Sequence, residues 1–420
     1  MARNAGLRPG RVRLVLEQNA RDLWASSSST TPEGDNGMIF SFLSQNTYED
    51  PKLLDDNGLN YPVPLKFYDS EIGVKSFENH LEMARYADDK FDWISVSEHH
   101  GWPMLQSPNA AVLLGAFAAV TTRVKLAWMG PLVSMNNPIR IAEECAMLDQ
   151  FSNGRLICLF LRGTPNEFLV YGVRADETRD RTQEAYGLIQ RALTEPQPFS
   201  WQGRYYKYRS VSMWPSVTQK PLFPIMSSGN SLESATFAAQ NRYGLAISFY
   251  PPELVADLVA FYKTECERFG WEPSSDWIAY RGFGAVGETH EHAADLASRF
   301  FGKRNSFLLG FTGRGRHTLG DLRFANPPKR IDSDQKDKSA SGFGLGTLAF
   351  QGSADTVVNQ IVDFAELTGV GVLDIGFNGG GLRGDECFDS LRRFGEHVIP
   401  AVRAIDASNN KMEVAGVSSD

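Results

Sequence analysis

The chain has 420 residues, a formal net charge of -8 at pH 7, and 42% hydrophobic residues. This length and hydrophobic share suit one large α/β barrel with insertions. The acidic balance gives no reason to expect nucleic acid or an anionic membrane surface as a partner. No apolar run reaches the ~20 residues that a membrane-spanning helix needs. We therefore expect a soluble, cytoplasmic protein.

The four cysteines are scattered along the chain, and no Cys-x-x-Cys pair occurs. Cys145 lies in a predicted helix and Cys158 in a predicted strand. Buried thiols are therefore expected rather than disulfides or a metal knuckle.

The predicted elements alternate between strand and helix in chain order. Strands are predicted at 38–43, 93–96, 123–129, 154–163, 224–228, 244–250, 277–286 and 370–377. Helices are predicted at 77–86, 109–120, 138–149, 177–193, 253–269 and 354–368, and a further helix follows the strand at 224–228 and ends at 240. Strands that alternate with helices indicate parallel βα units, and their number predicts an α/β fold of the (βα)8 TIM-barrel type.

Two other segments interrupt this alternation. Residues 201–214 alternate aromatic and polar side chains, which predicts a hairpin appended to the barrel. Residues 300–346 show no periodicity, and a loop this long is usually a functional lid or disordered, so a mobile lid before the last strand is expected. The predicted division is a flexible N-terminal extension at 1–37, the barrel at 38–405 with the lid at about 300–346, and a C-terminal tail at 406–420.

The strand at 93–96 ends in Glu98, His99 and His100. In a barrel enzyme, titratable residues at the carboxyl end of a strand are candidates for catalysis. A neutral imidazole exchanges protons near pH 7, so His99 and His100 are the candidate catalytic residues. Adjacent side chains point in different directions, so one is expected at the barrel mouth and the other in its wall.

Arg162 and Gly163 end the strand at 154–163. Burying a guanidinium is costly unless it is paired, so Arg162 is expected to face an anionic ligand, with a salt bridge to Glu167 as the alternative. Arg179 and Arg181 follow on the next predicted helix. Either of them could reach the same anion, and the sequence does not distinguish them.

A second anion site is predicted where the strand at 224–228 meets its helix. Backbone amides at a helix N-terminus, together with hydroxyls and a permissive glycine, bind anions. The residues that form this turn are Ser228, Gly229, Asn230, Ser231 and Ser234. Simple N-capping by Asn230 or Ser231 is the alternative, and it does not exclude anion binding.

Several of these pieces, in this order, resemble the bacterial luciferase-like family of flavin-dependent monooxygenases. The most specific part of the resemblance lies between Glu98 and Gly163, and the whole spans roughly residues 38–405. The matching motifs are Ser97-Glu-His-His100, Asn137-Pro-Ile-Arg-Ile-Ala-Glu-Glu144, Leu148-Asp-Gln-Phe-Ser-Asn-Gly-Arg155, Leu161-Arg-Gly163, the segment 228–240 and Gln351-Gly-Ser-Ala-Asp-Thr-Val357. The family more usually has Gly-x-Gly-Arg-Gly where this chain has Phe160 and Leu161 before Arg162.

The resemblance implies a monooxygenase that uses reduced FMN and O2, through a flavin C4a-peroxide, to oxygenate a small organic substrate. It also implies a separate flavin reductase, a homo- or hetero-dimer and a catalytic role for His99. Arg162 and Gly163 are expected at the flavin, with Arg179 and the 228–234 turn at its phosphate. Trp128 and Met129 end a strand that should pass under the isoalloxazine, where they serve as flavin bed or as core.

Three other functions remain open at this point. One is a deazaflavin-dependent oxidoreductase of the same fold. Another is a metal-dependent barrel hydrolase built on His99, His100 and His290 or His292, although capping by Thr289 and solvent exposure explain His290 and His292 better. The last is a non-catalytic flavin-binding paralogue. Because capping and solvent exposure explain His290 and His292 better than metal binding does, we expect no bound metal.

Overall fold

In the computed structural model of the protein, the residues that the structure describes are 37–50, 63–101, 105–300 and 348–407. Nearly all of the N-terminal extension, the lid and the C-terminal tail lie outside these ranges. What the sequence predicts for those three segments stays a prediction.

Eight parallel strands close a barrel within the described residues, which confirms the predicted (βα)8 TIM barrel. Their order around the barrel is β1-β2-β3-β4-β7-β8-β9-β11, with β11 pairing back to β1. The strands are β1 (Ile39–Leu43), β2 (Trp93–Val96), β3 (Lys125–Leu132), β4 (Leu156–Leu161), β5 (Phe199–Gln202), β6 (Lys207–Val211), β7 (Ile225–Ser228), β8 (Gly244–Ser248), β9 (Ile278–Val286), β10 (Phe350–Gly352) and β11 (Val372–Gly376). The strands β5 and β6 form the predicted antiparallel hairpin, and β10 pairs with the carboxyl end of β9.

Helices cover the outside of the barrel between successive strands. They are α1 (Ser70–Lys90), α2 (Ala110–Val120), α3 (Pro138–Phe151), α4 (Pro165–Tyr171), α5 (Thr178–Thr194), α6 (Leu232–Asn241), α7 (Pro252–Arg268), α8 (His290–Phe300), α9 (Ala354–Thr368) and α10 (Gly384–Arg393). A π-helical turn (Phe394–Val398) and a helical segment at 399–407 follow α10. None of the helices in the described part is both long and apolar enough to cross a bilayer.

Several helices differ from the sequence-based prediction, among them α1 and α4. The helix α1 begins at residue 70 rather than 77, because the Asp69 carboxylate accepts hydrogen bonds from the backbone N–H groups of Glu71 and Ile72 and starts the helix early. The segment 164–176, which lies between the predicted strand at 154–163 and the predicted helix at 177–193, contains the short helix α4.

The strands of the barrel bury both of their faces. Along β4, Ile157 and Leu159 belong to a small cluster inside the barrel, whereas Cys158 and Phe160 pack in the large core between the barrel and the helices. Successive side chains of a strand point to opposite faces, so a strand buried on both sides appears as a continuous apolar run. All four cysteines are free and buried, as predicted.

The Asp88 carboxylate connects the end of α1 to the turn before β3. It accepts backbone N–H bonds from Thr122, Arg123 and Val124 at 2.7 to 2.9 Å. Although burial alone would raise the pKa of Asp88, these hydrogen bonds lower it below its usual value. The ionised carboxylate therefore stabilises the folded state.

We predict that Asp88→Ala lowers the free energy of unfolding by about 1–2 kcal/mol at pH 7, because hydrogen bonds to a charged acceptor are lost. Since the folded-state pKa is depressed, this contribution is present above the unfolded pKa and is lost as the pH falls through the folded value. Urea unfolding at several pH values measures it. The neighbouring exposed Asp89→Ala is the matched control, and an equal loss in both variants would contradict the role of Asp88.

Candidate active site at the carboxyl end of the barrel

His99 follows β2 at the carboxyl end of the barrel, and its side chain is 22% exposed. Its Nδ1 lies 2.9 Å from Oε1 of Glu167, a buried residue on α4. Thr164 donates its backbone N–H and its hydroxyl to Oε2 of Glu167, at 2.7 and 2.9 Å. The short helix α4 therefore brings a carboxylate to His99 that the sequence did not assign to it.

Electrostatics fix the tautomer of His99. Burial alone would raise the pKa of Glu167, but the hydrogen bonds from His99 and Thr164 lower it below its ordinary value. Glu167 is consequently ionised at neutral pH and can only accept hydrogen bonds. Nδ1 of His99 must then donate to it, which leaves Nε2 as the ring nitrogen that can exchange a proton with a ligand.

His100 lies in the wall of the site and is only 8% exposed. Its Nε2 contacts the Glu98 carboxylate at 3.2 Å, and its Nδ1 contacts the Tyr171 hydroxyl at 3.1 Å. The amide of Asn136 donates to the same oxygen of Glu98 at 2.9 Å. The two adjacent histidines thus point in different directions, and His99 is the more exposed of the two.

Arg162 follows β4 at the carboxyl end of the barrel, where the positive charge of Arg179 acts on it. Burial, followed by the positive charge of Arg179, lowers the pKa of Arg162 below its usual value. Arg181 turns elsewhere: its guanidinium pairs with Glu177 at 3.0 Å and lies over the ring of Tyr205. Of the two helix arginines, Arg179 is therefore the neighbour of Arg162. Like charges held together in a half-buried place favour the binding of an anion.

The turn after β7 combines capping with strand pairing. The Ser231 hydroxyl accepts the N–H of Ser234, and the Ser234 hydroxyl accepts the N–H of Ser231, so the two residues form a capping box at the start of α6. The N-capping alternative is therefore confirmed for Ser231. Asn230 uses its side-chain amide to bind both backbone groups of Ser248, at 2.9 and 3.0 Å.

These contacts revise part of the predicted phosphate site. The carboxamide of Asn230 joins the ends of β7 and β8, and the N–H of Gly229 donates to the Ala246 carbonyl at 2.7 Å. Both groups are already hydrogen-bonded within the fold, so they offer little to a ligand. The hydroxyl of Ser228 and the N-terminus of α6 remain the candidates to bind an anion at this turn.

Trp128 and Met129 face opposite sides of β3. Trp128 packs in the large core between barrel and helices, whereas Met129 belongs to the cluster inside the barrel. The peptide bond between Met129 and Gly130 is cis. A Cβ at Gly130 would lie 1.4 Å from the Leu159 carbonyl oxygen, so a glycine is required there. The packing of Trp128 favours the core interpretation for that residue, and Met129 remains the candidate for the flavin bed.

A charged network inside the barrel was missed by the sequence analysis. Arg281 on β9 donates from Nε to Oδ2 of Asp374 on β11 at 2.7 Å. The other carboxylate oxygen, Oδ1, accepts hydrogen bonds from the hydroxyls of Ser41 and Ser95 at 2.7 and 2.6 Å. The side chain of Asp374 is 1% exposed and that of Arg281 is 13% exposed. A lone charge of opposite sign in each of two apolar strands was the available signal.

The guanidinium of Arg281 extends this network to one more strand, β3, and to Ser97 just after β2. Nη1 contacts the Ser97 hydroxyl at 2.5 Å and the Met129 carbonyl at 3.2 Å, and Nη2 contacts the Ser95 hydroxyl at 3.2 Å. Ser97 lies two residues before His99. The ion pair and the candidate catalytic histidine therefore share one part of the barrel.

The remaining histidine candidates lie on α8. The hydroxyl of Thr289 accepts the N–H of His292 at 3.2 Å, as expected for a cap, and His290 is exposed. Across the ranges that the structure describes, no group of three or more His, Cys, Asp or Glu side chains is arranged to hold a metal ion.

Known proteins resemble this chain in sequence and in fold. The chain is 25% identical over 207 residues to the oxygenase component of a flavin-dependent trigonelline monooxygenase from Acinetobacter baylyi, a match that covers 48% of this chain and 57% of that relative. The oxygenating constituent of 3,6-diketocamphane monooxygenase from Pseudomonas putida, solved in complex with FMN, superposes with a TM-score of 0.66 at 19% identity, covering 87% of this chain and 98% of that one.

The same fold also occurs with a deazaflavin. The coenzyme F420-dependent tetrahydromethanopterin reductase from Methanopyrus kandleri superposes with a TM-score of 0.58 at 16% identity, covering 87% of this chain and 99% of that one. The model of the luciferase-like monooxygenase family matches residues 62–370, well over half of the chain. The protein thus belongs to the luciferase-like monooxygenase family.

Proposed function

We propose that the protein uses reduced FMN and O2 to oxygenate a small organic substrate. The observation that carries this proposal is that Arg162 and Arg179 bring two positive charges to the end of the barrel where Glu167 orients His99. The two positive charges suit an anionic cofactor, and the contact between His99 and Glu167 suits proton transfer at a ligand. The relative from Acinetobacter baylyi is named an oxygenase component, which supports a separate reductase as the source of reduced flavin. A homo- or hetero-dimer is part of the same proposal.

The residues at the barrel mouth fit FMN. Arg162, Arg179 and the start of α6 would hold its phosphate, because guanidinium groups and helix N-termini bind phosphate oxygens. Met129 offers an apolar surface inside the barrel for the ring. When bound, reduced FMN supplies the electrons that activate O2. His99 exchanges a proton through Nε2, and Glu167 keeps its ring in place.

A deazaflavin is the second candidate cofactor, because a structural neighbour uses coenzyme F420. Anaerobic titrations with reduced FMN and with reduced F420 distinguish the two. Aerobic reactions under 18O2, with reduced FMN and a panel of aldehydes, ketones and aromatic compounds, then test oxygenation itself. Tighter binding of F420, or product without 18O, would contradict the proposal.

We predict that Arg162→Met weakens the binding of reduced FMN by about tenfold or more, because a charge-assisted hydrogen bond contributes roughly 1.5–3 kcal/mol. The wild-type protein should bind reduced FMN more tightly than oxidised FMN, since the reduced ring is anionic. Anaerobic fluorescence titration measures both effects. Arg181→Met is the matched control, because Arg181 already pairs with Glu177. Equal weakening in both variants would count against a cofactor role for Arg162.

His99→Ala should lower product formation by ~10²–10⁴, the usual range for loss of an acid–base group. FMN binding should stay nearly unchanged, and the melting temperature should fall only modestly, because buried Glu167 loses His99 but keeps Thr164. His100→Ala should lower the melting temperature more, because His100 is more buried and its loss removes one hydrogen-bond partner each from Glu98 and Tyr171. Turnover and melting curves of both variants test this assignment. Full activity in His99→Ala with loss in His100→Ala would reverse it.

Glu167→Gln should reduce the free energy of unfolding at pH 7 by about 1–2 kcal/mol, because the charged acceptor for His99 is lost. The folded-state pKa of Glu167 is depressed, so the difference from wild type is present above the unfolded value and disappears as the pH falls through the folded one. A double-mutant cycle with His99→Ala should give a coupling energy of about 1 kcal/mol. Additive effects would show that the two side chains do not interact.

A further inference from the structure

The network around Arg281 leaves two hydrogen-bond donors unused among the described residues. A guanidinium carries five N–H groups. Four of those on Arg281 meet Asp374, Ser97, Ser95 and the Met129 carbonyl, so one N–H on Nη2 remains. The Ser97 hydroxyl accepts from Arg281, and its own proton has no acceptor in the described part of the chain.

These two donors form a site without net charge. The Arg281 guanidinium is paired with the Asp374 carboxylate at 2.7 Å, and both side chains are largely buried. A carboxylate ligand placed there would be repelled by Asp374, at close range and with little solvent to screen it. A neutral oxygen acceptor avoids this repulsion and satisfies both donors. The site therefore favours a carbonyl oxygen over an anion.

Apolar side chains also line the barrel interior. Ala127 of β3, Leu159 of β4 and Met226 of β7 belong to one buried cluster there, on strands away from β9 and β11 in the barrel order. A ligand that reached the Arg281 network would meet apolar side chains as well as hydrogen-bond donors. Such a surface orients an apolar or aromatic ligand through a single carbonyl group.

We propose that Ser97 and Arg281 form a donor site for a neutral carbonyl oxygen beside His99. The proposal rests on the proposed function, because that carbonyl belongs either to the pyrimidine ring of bound FMN or to the organic substrate. The shared chemistry is a neutral C=O group that accepts two hydrogen bonds. Ser97 lies two residues before His99, at the same end of the barrel.

The test compares Ser97→Ala with Ser41→Ala. Both changes delete a buried hydroxyl of the same network, but the Ser41 hydroxyl already donates to Asp374. Titrations of oxidised FMN, and of benzamide into the FMN-loaded and the free protein, give the affinities. Ser97→Ala should weaken one of the two ligands by about fivefold, the usual effect of one hydrogen bond, and Ser41→Ala should leave both unchanged.

The outcomes separate the sources of the carbonyl. Weaker or spectrally shifted FMN in Ser97→Ala alone assigns the site to the flavin ring, and weaker benzamide alone assigns it to the substrate. Equal affinities of both ligands in the two variants overturn the proposal, as does a wild-type protein that binds neither ligand. If wild type binds benzamide but no flavin, the proposed function fails while the donor site stands.

A second variant tests the charge argument. Asp374→Asn keeps the shape of the side chain but leaves the charge of Arg281 uncompensated, so the site becomes positive. Wild type should prefer benzamide to benzoate, and Asp374→Asn should shift this preference towards benzoate by about tenfold or more. Melting curves confirm that the variant is folded. An unchanged preference in the folded variant would overturn the proposal.

Discussion

The buried ion pair between Arg281 and Asp374 holds the carboxyl end of the barrel together. Through the serines of β1 and β2 and the Met129 carbonyl of β3, it joins five of the eight barrel strands within the described residues. Charges inside a protein are costly unless every one is paired and hydrogen-bonded, and here each carboxylate oxygen and most guanidinium donors have partners. The strand end that leads to His99 is consequently fixed in position.

Two electrostatic environments result at one end of the barrel. The rim near β4 and α5 holds Arg162 and Arg179, whose like charges favour an anion. The interior near β9 and β11 holds Arg281 and Asp374, whose charges cancel. A cofactor with an anionic phosphate at one end and a ring that carries carbonyl oxygens at the other matches this division. His99 lies at the same end, with its tautomer fixed by Glu167.

Local patterns in the sequence predicted most of the fold. The strand β4 is a continuous apolar run because both of its faces are buried, and the strand ending at His99 was recognisable in the same way. The pairing of Arg281 with Asp374 was not, because the two residues are 93 positions apart and only barrel closure brings them together. The contact between His99 and Glu167 depends on α4, a seven-residue helix too short to show a clear period.

The predicted phosphate-binding turn shows a second limit of prediction from local sequence. A serine- and asparagine-rich turn before a helix indicates both capping and anion binding, and its local sequence cannot divide the two roles among its residues. Pairing between β7 and β8 makes that division, since it commits Asn230 to the backbone of Ser248. Ser231 caps its helix, as the local pattern suggested.

A crystal structure of the protein with bound FMN tests the central claim most directly. The account predicts electron density for the phosphate between Arg162, Arg179 and the start of α6, with the ring inside the barrel mouth within reach of His99. A phosphate bound away from both arginines, or a ring outside the barrel, would contradict it.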